Sequence, residues 1–288
     1  MAEILKGKPI ADGISEQIQQ RLAELQTKGV QRVSIAAVQV GEDPATEVYV
    51  RNQKKQAEKH GIDHQHHHLP PETTQEQLIA FIGKLNTDPS VTGIILQTPL
   101  PKHLNTWAAQ CSIAFRKDIE GVHPENLGLL VYNRERLAPC TALAAVRMIQ
   151  SIGVNTVGAE TVIVGRSAIV GKPAALLLLE RKLSATVTVC HTGTSKAGKL
   201  AEHVGRADIL IAAMGSPQAV KGEWIKRGAV VIDVGVNQVG DQMVGDVEFE
   251  PAAERAAVIT PVPGGVGTVT TRLLLYNAVE AAAWQREN

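Results

Sequence analysis

Thr161-Val162-Ile163-Val164, then Gly165-Arg166-Ser167-Ala168-Ile169-Val170-Gly171, then the run from Lys172 to Glu180, is the stretch that decides the fold. Four β-branched residues in a row predict a short buried strand, the two glycines a tight turn, and the apolar run behind Lys172 a helix. A strand that ends in such a turn and opens a helix directs backbone N–H groups, and the positive end of the helix, at an anion. Three further apolar runs follow, Ala185–Cys190, Ile209–Ala213 and Val230–Val234, each ending near glycine or a small polar residue. Together they predict a dinucleotide-type βαβ lobe with a parallel sheet over residues 140–269, with Cys140–Gly153 as a connecting helix.

The turn departs from the common G-x-G-x-x-G pattern, because Ser167 stands in place of the middle glycine and holds a pyrophosphate farther from the backbone. Taken alone, it fits a helix-packing turn as well as a phosphate site. The next strand adds information. An NAD site places an acid near that strand's end to bond the ribose 2′-hydroxyl, yet the chain continues Cys190-His191-Thr192-Gly193-Thr194 without one. Arg166 in the first turn can pair with a 2′-phosphate and Thr192 can donate a hydroxyl, so the pattern favours NADP. Gly165, Arg166, Ser167, Thr192 and Val236 are the candidate cofactor-binding residues.

Upstream, helix and strand also alternate. Ile14, Ile18, Leu22 and Leu25 have helical spacing, Val33–Val40 is a β-rich run closed by Gly41, and Thr46–His60 is a charged amphipathic helix stopped at Gly61. A histidine-rich strand, a helix over about 74–85 and the strand Val91–Gln97 follow, and Thr270–Trp284 forms a final helix. The fold class is therefore α/β and two-lobed, with a cleft expected between the lobes. An N-terminal α/β lobe spans 1–139 and is completed by the helix in 270–288; the Rossmann-type lobe is the second.

Composition sets limits on function. The 288 residues carry 29 Lys plus Arg and 29 Asp plus Glu, so no net field favours nucleic acid or an anionic membrane. Three widely spaced cysteines suit a reducing cytoplasm and offer neither a disulfide framework nor a metal pair. Residues 1–10 lack an apolar leader core, and no apolar run reaches the roughly 20 residues of a membrane span. His64, His66 and His68 alternate onto one face of a strand, with His67 on the other, which reads as a solvated edge strand and not as a metal site. Cys140 reads as a small buried residue and Asp233 as structural.

Eight segments in one order make the chain resemble the bifunctional methylenetetrahydrofolate dehydrogenase/cyclohydrolase family over nearly its whole length. They are Val40–Thr46 leading to Tyr49-Val50, Ile95–Pro101, Lys117–Pro124, Pro139-Cys140-Thr141, Gly165-Arg166-Ser167, Ile169-Val170-Gly171, Val231–Asn237 and Thr260–Gly267. The resemblance implies an N-terminal folate lobe, NADP as cofactor, a metal-free site, a cytoplasmic homodimer and a place in one-carbon metabolism that serves purine biosynthesis. Its dehydrogenase step passes a hydride from the methylene carbon of the folate to nicotinamide and depends mainly on alignment. Its cyclohydrolase step adds water to the methenyl cation and needs a group that manages protons.

The same resemblance assigns the site. A tyrosine followed four residues later by a lysine forms the family's catalytic face, since i, i+4 spacing sets both over one patch of a helix. The tyrosine is Tyr49, but Gln53 stands where the lysine belongs; Lys54 and Lys55 are rotated about 100° and 200° away. An amide hydrogen-bonds but neither takes up nor releases a proton near neutral pH. The pocket glutamine is Gln97, and Glu120 replaces the pterin-binding aspartate, keeping the carboxylate and adding a methylene. Tyr49, Gln53, Gln97 and Glu120 are thus the candidate catalytic residues. Tyr49, Gln97 and Glu120, with Pro263, Gly264 and Gly265, are the candidate folate-binding residues. Ala142-Leu143-Ala144 and Thr268 depart from the family as well. The expectation is a dehydrogenase whose hydrolytic step is weakened; a dehydrogenase for another small molecule and a non-catalytic binder are the rival readings.

Overall fold

The computed structural model describes residues 1–287, which form two compact units. One comprises residues 13–138 and 271–288, the other residues 1–12 and 139–270. The sequence expectation began the first lobe at residue 1. Residues 1–12 instead group with the Rossmann-type unit, because strand β1 (Glu3–Ile4) pairs in parallel with a strand at Val258–Ile259.

In the first of these units, helix α1 (Gly7–Thr27, its residues 13–27 in this unit) buries Ile14, Ile18 and Leu25. It starts at Gly7, ahead of the apolar spacing that begins at Ile14, with Pro9 fitting its first turn. Strand β2 (Ser34–Val40) is buried at all seven positions, as befits a central parallel strand covered on both faces. The sequence Glu42-Asp43-Pro44 then starts α2 (Pro44–Lys59): Asp43 Oδ2 accepts from Thr46 N at 2.9 Å and Thr46 Oγ1 at 2.5 Å, with Pro44 as the first helical residue. Strand β3 (Asp63–Leu69) carries the histidines, and α3 (Gln75–Thr87) opens with a reciprocal cap between Thr74 and Gln77. Strand β4 (Gly93–Leu96) is buried throughout. Two short helices not foreseen from sequence follow, α4 (Thr106–Ser112) and α5 (Pro124–Val131). At seven and eight residues they are too short to show a helical period.

The sheet order is β3-β2-β4, all parallel, with Asp118 bridged in parallel to Ile94 beyond β4. Ala36, Val38 and Val40 pack with Leu78, Ile82 and Leu85 of α3 to form this unit's core. Because β2 is flanked on both sides by later strands, the chain changes winding direction at its carboxyl end. That is where open α/β sheets hold their ligands.

The second unit continues with α6 (Cys140–Ser151), β5 (Glu160–Val164), α7 (Gly171–Leu179), β6 (Thr186–Cys190), α8 (Thr192–Lys196), α9 (Leu200–Arg206) and β7 (Ile209–Ala212). Strand β8 (Val230–Asp233), the hairpin β9 (Asn237–Val239) and β10 (Gln242–Val244), α10 (Phe249–Ala253), β11 (Val258–Ile259) and α11 (Val266–Trp284) complete it. The parallel sheet runs β1-β11-β8-β7-β5-β6, and its winding reverses at β5, the strand that leads into Gly165. Val162, Val164, Leu210, Ala212 and Val231 form its core. Helix α11 crosses from this unit at Val266–Thr270 into the other, where Asn277 donates to the carbonyls of Ile119 and Ala138.

Candidate active site

Glycine is required at two places in the turn after β5. Gly165 has φ +140°, and a Cβ there would lie 2.1 Å from the carbonyl oxygen of Ala213; a Cβ on Gly171 would lie 2.1 Å from the carbonyl oxygen of Gly165. Strand β5, the loop after β7 and the start of α7 therefore touch backbone to backbone. Ser167 turns its hydroxyl back to accept from Val170 N at 3.0 Å, and α7 begins at Gly171 with no side-chain cap. Arg166 and Ser167 are exposed beside it, as is Thr192 at the start of α8. Val236 is 56% exposed in the loop after β8. A close-approach turn and an exposed guanidinium fit a dinucleotide that carries an added phosphate.

Two buried carboxylates hold the adjoining loops. Asp233, at the end of β8, accepts from the backbone N–H groups of Gly235 and Asp246 at 3.0 Å and of Val247 at 2.9 Å. Asp246 accepts from the backbone N–H groups of Met214, Gly215 and Ser216 at 2.5, 3.0 and 2.8 Å, and from Asn237 Nδ2 at 2.9 Å. Gly235 and Gly245 admit these carboxylates, since a Cβ on either would strike one of them. Burial pushes the Asp233 carboxyl up to about 7 despite its donors. The sequence reading took Asp233 as structural but missed Asp246. That residue lies 13 positions on, past a hairpin, and only the preceding Gly245 hinted at it.

In the other unit, α2 buries Thr46, Val50, Gln53, Ala57 and His60, a spacing of four, three, four and three that makes one helical stripe. Gln53 is wholly buried on it, while Lys54 and Lys55 are exposed; Lys54 lies 4.0 Å from Glu58. Tyr49, one turn before Gln53, is 41% exposed. Gln97 follows β4 and is buried; its backbone N–H bonds Val38 O at 2.8 Å and its Nε2 donates to Gln53 Oε1 at 3.1 Å. That bond leaves Gln53 Nε2 buried with no hydrogen-bond partner in the protein. A buried amide donor without a partner is costly, and a ligand acceptor at that point would remove the cost.

Glu120 lies beyond β4 in the same unit. Asp118 is bridged to Ile94, with Ile94 N donating to Lys117 O at 2.7 Å, and the chain then turns, Gly121 N donating to Asp118 O at 3.2 Å, so that Glu120 lies in the turn. Burial first, and the nearby Asp118 charge second, push the Glu120 carboxyl up to about 8. Asp118 is itself fixed by His123 N at 2.7 Å and Asn126 Nδ2 at 2.9 Å. Thus Gln53 and Gln97 are joined directly, while Glu120 sits in the turn after the Ile94–Asp118 bridge. Pro263, Gly264 and Gly265 lie in the other unit, where Gly7 N donates to Gly264 O at 2.8 Å.

Two family models match the chain. The catalytic domain of tetrahydrofolate dehydrogenase/cyclohydrolase covers residues 5–120, and its NAD(P)-binding domain covers residues 139–286. The chain belongs to the tetrahydrofolate dehydrogenase/cyclohydrolase family. The Bifunctional protein FolD of Geotalea uraniireducens is 50% identical over 283 residues, 98% of this chain and 99% of the relative. Bifunctional protein FolD 2 of Geobacter sulfurreducens is 49% identical over 98% and 97%. The Trypanosoma brucei methylenetetrahydrofolate dehydrogenase-cyclohydrolase, solved with NADP and an inhibitor, superposes with a TM-score of 0.93 at 36% identity, over 100% of this chain and 99% of that one.

Against this family the departures acquire local meaning. Thr268, where the resemblance leads to an expectation of proline, donates its N–H to Gly265 O at 3.2 Å, a bond proline cannot make. Ala142 is fully buried within α6. The histidine row on the edge strand β3 is only partly solvated, a correction to the expected solvated strand. His66 bonds Gln39 Oε1 at 3.0 Å, His68 bonds Gly41 O at 2.8 Å, and burial holds His64 down at about 4. Their faces are as expected to the extent that His66 and His68 stack together and His67 packs against Phe81.

Proposed function

We infer that this chain is an NADP-dependent methylenetetrahydrofolate dehydrogenase with cyclohydrolase activity, and that Gln53 weakens its hydrolytic step relative to hydride transfer. The observation that carries the reading is the buried Gln53–Gln97 pair, whose unpartnered amide donor calls for a ligand acceptor. NADP, when bound, supplies the hydride acceptor. Gly165 and Gly171 let the backbone approach its phosphates, Arg166 and Thr192 select the added phosphate, and Val236 lies along the cofactor.

Tyr49 offers an aromatic face for the pterin ring, while Gln97 and Glu120 hold the ring's N–H groups. Gln53 contributes a hydrogen bond without a transferable proton. Among the described residues no helix is long and apolar enough to cross a membrane. We place the protein in the cytoplasm as a homodimer, its formyl product serving purine biosynthesis. The test is reduction of NADP with methylenetetrahydrofolate, followed by absorbance. Turnover supports the reading, binding of both ligands without turnover indicates a non-catalytic relative, and neither binding nor turnover points to another substrate.

A further inference from the structure

We propose that His191 is a third selector of NADP, its ring Nε2–H donating to the phosphate that distinguishes NADP from NAD. The assignment rests on the NADP reading above, in which Arg166 and Thr192 meet that phosphate. Strand register brings His191 to the same place. Strands β5 and β6 run parallel with Val164 opposite Cys190, and Gly165 N donates to Cys190 O at 2.9 Å. The chain therefore leaves β6 through His191 directly beside the point where it leaves β5 through Gly165 and Arg166. Neighbouring strands lie about 4.8 Å apart, so the ring of His191 is within reach of a group held between Arg166 and Thr192.

The loop fixes how the ring stands. His191 caps α8: its Nδ1 accepts from Gly193 N at 3.0 Å, while its own backbone N–H donates to Thr194 Oγ1 at 3.2 Å. A Cβ on Gly193 would lie 2.8 Å from His191 Cε1, so the glycine lets the ring fold over the loop. A ring nitrogen that accepts from a backbone N–H carries no proton, and the neutral ring then holds its proton on Nε2. Because the ring takes up the Gly193 N–H, the donor offered to a ligand at this point is the side chain and not the backbone. Among the described residues Nε2 has no hydrogen-bond partner, and it is not sealed from solvent.

The neighbouring groups are committed or missing. Ser167 Oγ accepts from Val170 N at 3.0 Å, Thr194 Oγ1 serves the His191 backbone, and position 193 has no side chain. No carboxylate occurs between Cys190 and Ala201, so none in this segment competes with a phosphate for the ring. A ring already held in place loses little freedom when it meets a ligand. Its N–H gains more from a charged phosphate oxygen than from a neutral 2′-hydroxyl, and that difference is the source of selectivity.

The experiment is calorimetric titration of the unmutated protein, His191→Asn and His191→Asp with NADP and NAD. Adenosine 2′,5′-bisphosphate and AMP are titrated alongside, since they differ by the same phosphate and lack nicotinamide. Asn and Asp are both good helix caps whose side-chain oxygen can accept from Gly193 N, so the loop is kept while the ring donor is lost. His191→Asn should cut the NADP-to-NAD affinity ratio about fivefold or more, with NAD itself within about twofold. The bisphosphate-to-AMP ratio should fall by a similar factor. His191→Asp sets a carboxylate against the phosphate and should bring both ratios to about one or below. An unchanged ratio in His191→Asn overturns the proposal, and so does equal weakening of both cofactors, which would make the ring a support of the loop only. A cofactor ratio that falls while the bisphosphate ratio holds also overturns it, because the contact would then lie elsewhere on NADP. If the unmutated protein prefers NADP in those cases, the NADP reading stands and this inference alone fails; if it binds neither cofactor, or both equally, the two fail together.

Discussion

The turn after β5 is built from backbone, whereas the cluster at the end of β4 is built from side chains. At the turn, glycines bring three segments within van der Waals contact, and Asp233 and Asp246 bind loop N–H groups directly. Few residue types satisfy such geometry, so little can change there without loss of the loop. At the cluster, the backbone presents Gln53 and Gln97 to one place, and the chemistry depends on which head group each carries. On the proposed assignment of the turn to NADP, cofactor binding is protected by the fold, while the hydrolytic step is exposed to single substitutions.

Replacing Gly165 is the most severe way to test that contrast. Gly165→Ala sets a Cβ into the carbonyl of Ala213 and should weaken NADP binding by about 100-fold or more, with a lowered melting temperature. Gly13→Ala, in a helix with open space around the site, should instead add about 0.5–1 kcal/mol to stability and leave NADP titrations unchanged. Equal behaviour of the two variants would remove the distinction drawn here. Next in size, Asp246→Asn turns an acceptor of three backbone N–H groups into an amide with a donor of its own. It should cost about 2–3 kcal/mol of stability in denaturant titrations and weaken NADP about tenfold.

On the folate side the expected effect is a change of slope with pH. Glu120 in the folded chain keeps its proton to about pH 8, whereas a free carboxyl gives it up near 4.5. Folding therefore takes up a proton between those values, and stability falls as pH rises through that window. Glu120→Gln lacks the slope, so its melting temperature should gain several degrees on the unmutated protein between pH 5 and pH 9. Parallel curves would show the carboxyl to be solvated. The smallest effect is expected at Arg166, an exposed residue. NADP should bind more than tenfold tighter than NAD, and Arg166→Ala should erase most of that preference. Equal affinities in the unmutated protein would contradict the assignment.

Much of the cofactor lobe was legible because its signals are local: β-branched runs, the glycines at 165 and 171, and the missing acid after Cys190. The position of Gln53 was legible too, since i, i+4 spacing from Tyr49 fixes its stripe of the helix, and the burial of Gln53 with the exposure of Lys54 and Lys55 follows that register. The union of residues 1–12 with the Rossmann-type unit was not, because β1 is two residues long and pairs with a strand about 255 positions away. Asp246 escaped for the same reason of distance. Short helices α4 and α5 gave no period to read. The bond between Gln53 and Gln97, 44 residues apart, and the orphaned amide it leaves, belong to side-chain geometry that no local pattern encodes.

If the head group at position 53 separates the two chemistries, Gln53→Lys should shift the balance between them. The measurement is the ratio of methenyltetrahydrofolate hydrolysis to NADP reduction in the unmutated protein, Gln53→Lys, Lys54→Ala and Lys55→Ala. An ammonium on the buried stripe, one turn from Tyr49, should raise that ratio at least tenfold, within the range of general acid–base catalysis, while the two alanine variants leave it within about twofold. Strong hydrolysis in the unmutated protein that collapses in Lys54→Ala would contradict the claim, because a lysine assigned to the solvent face of α2 would then be doing the work.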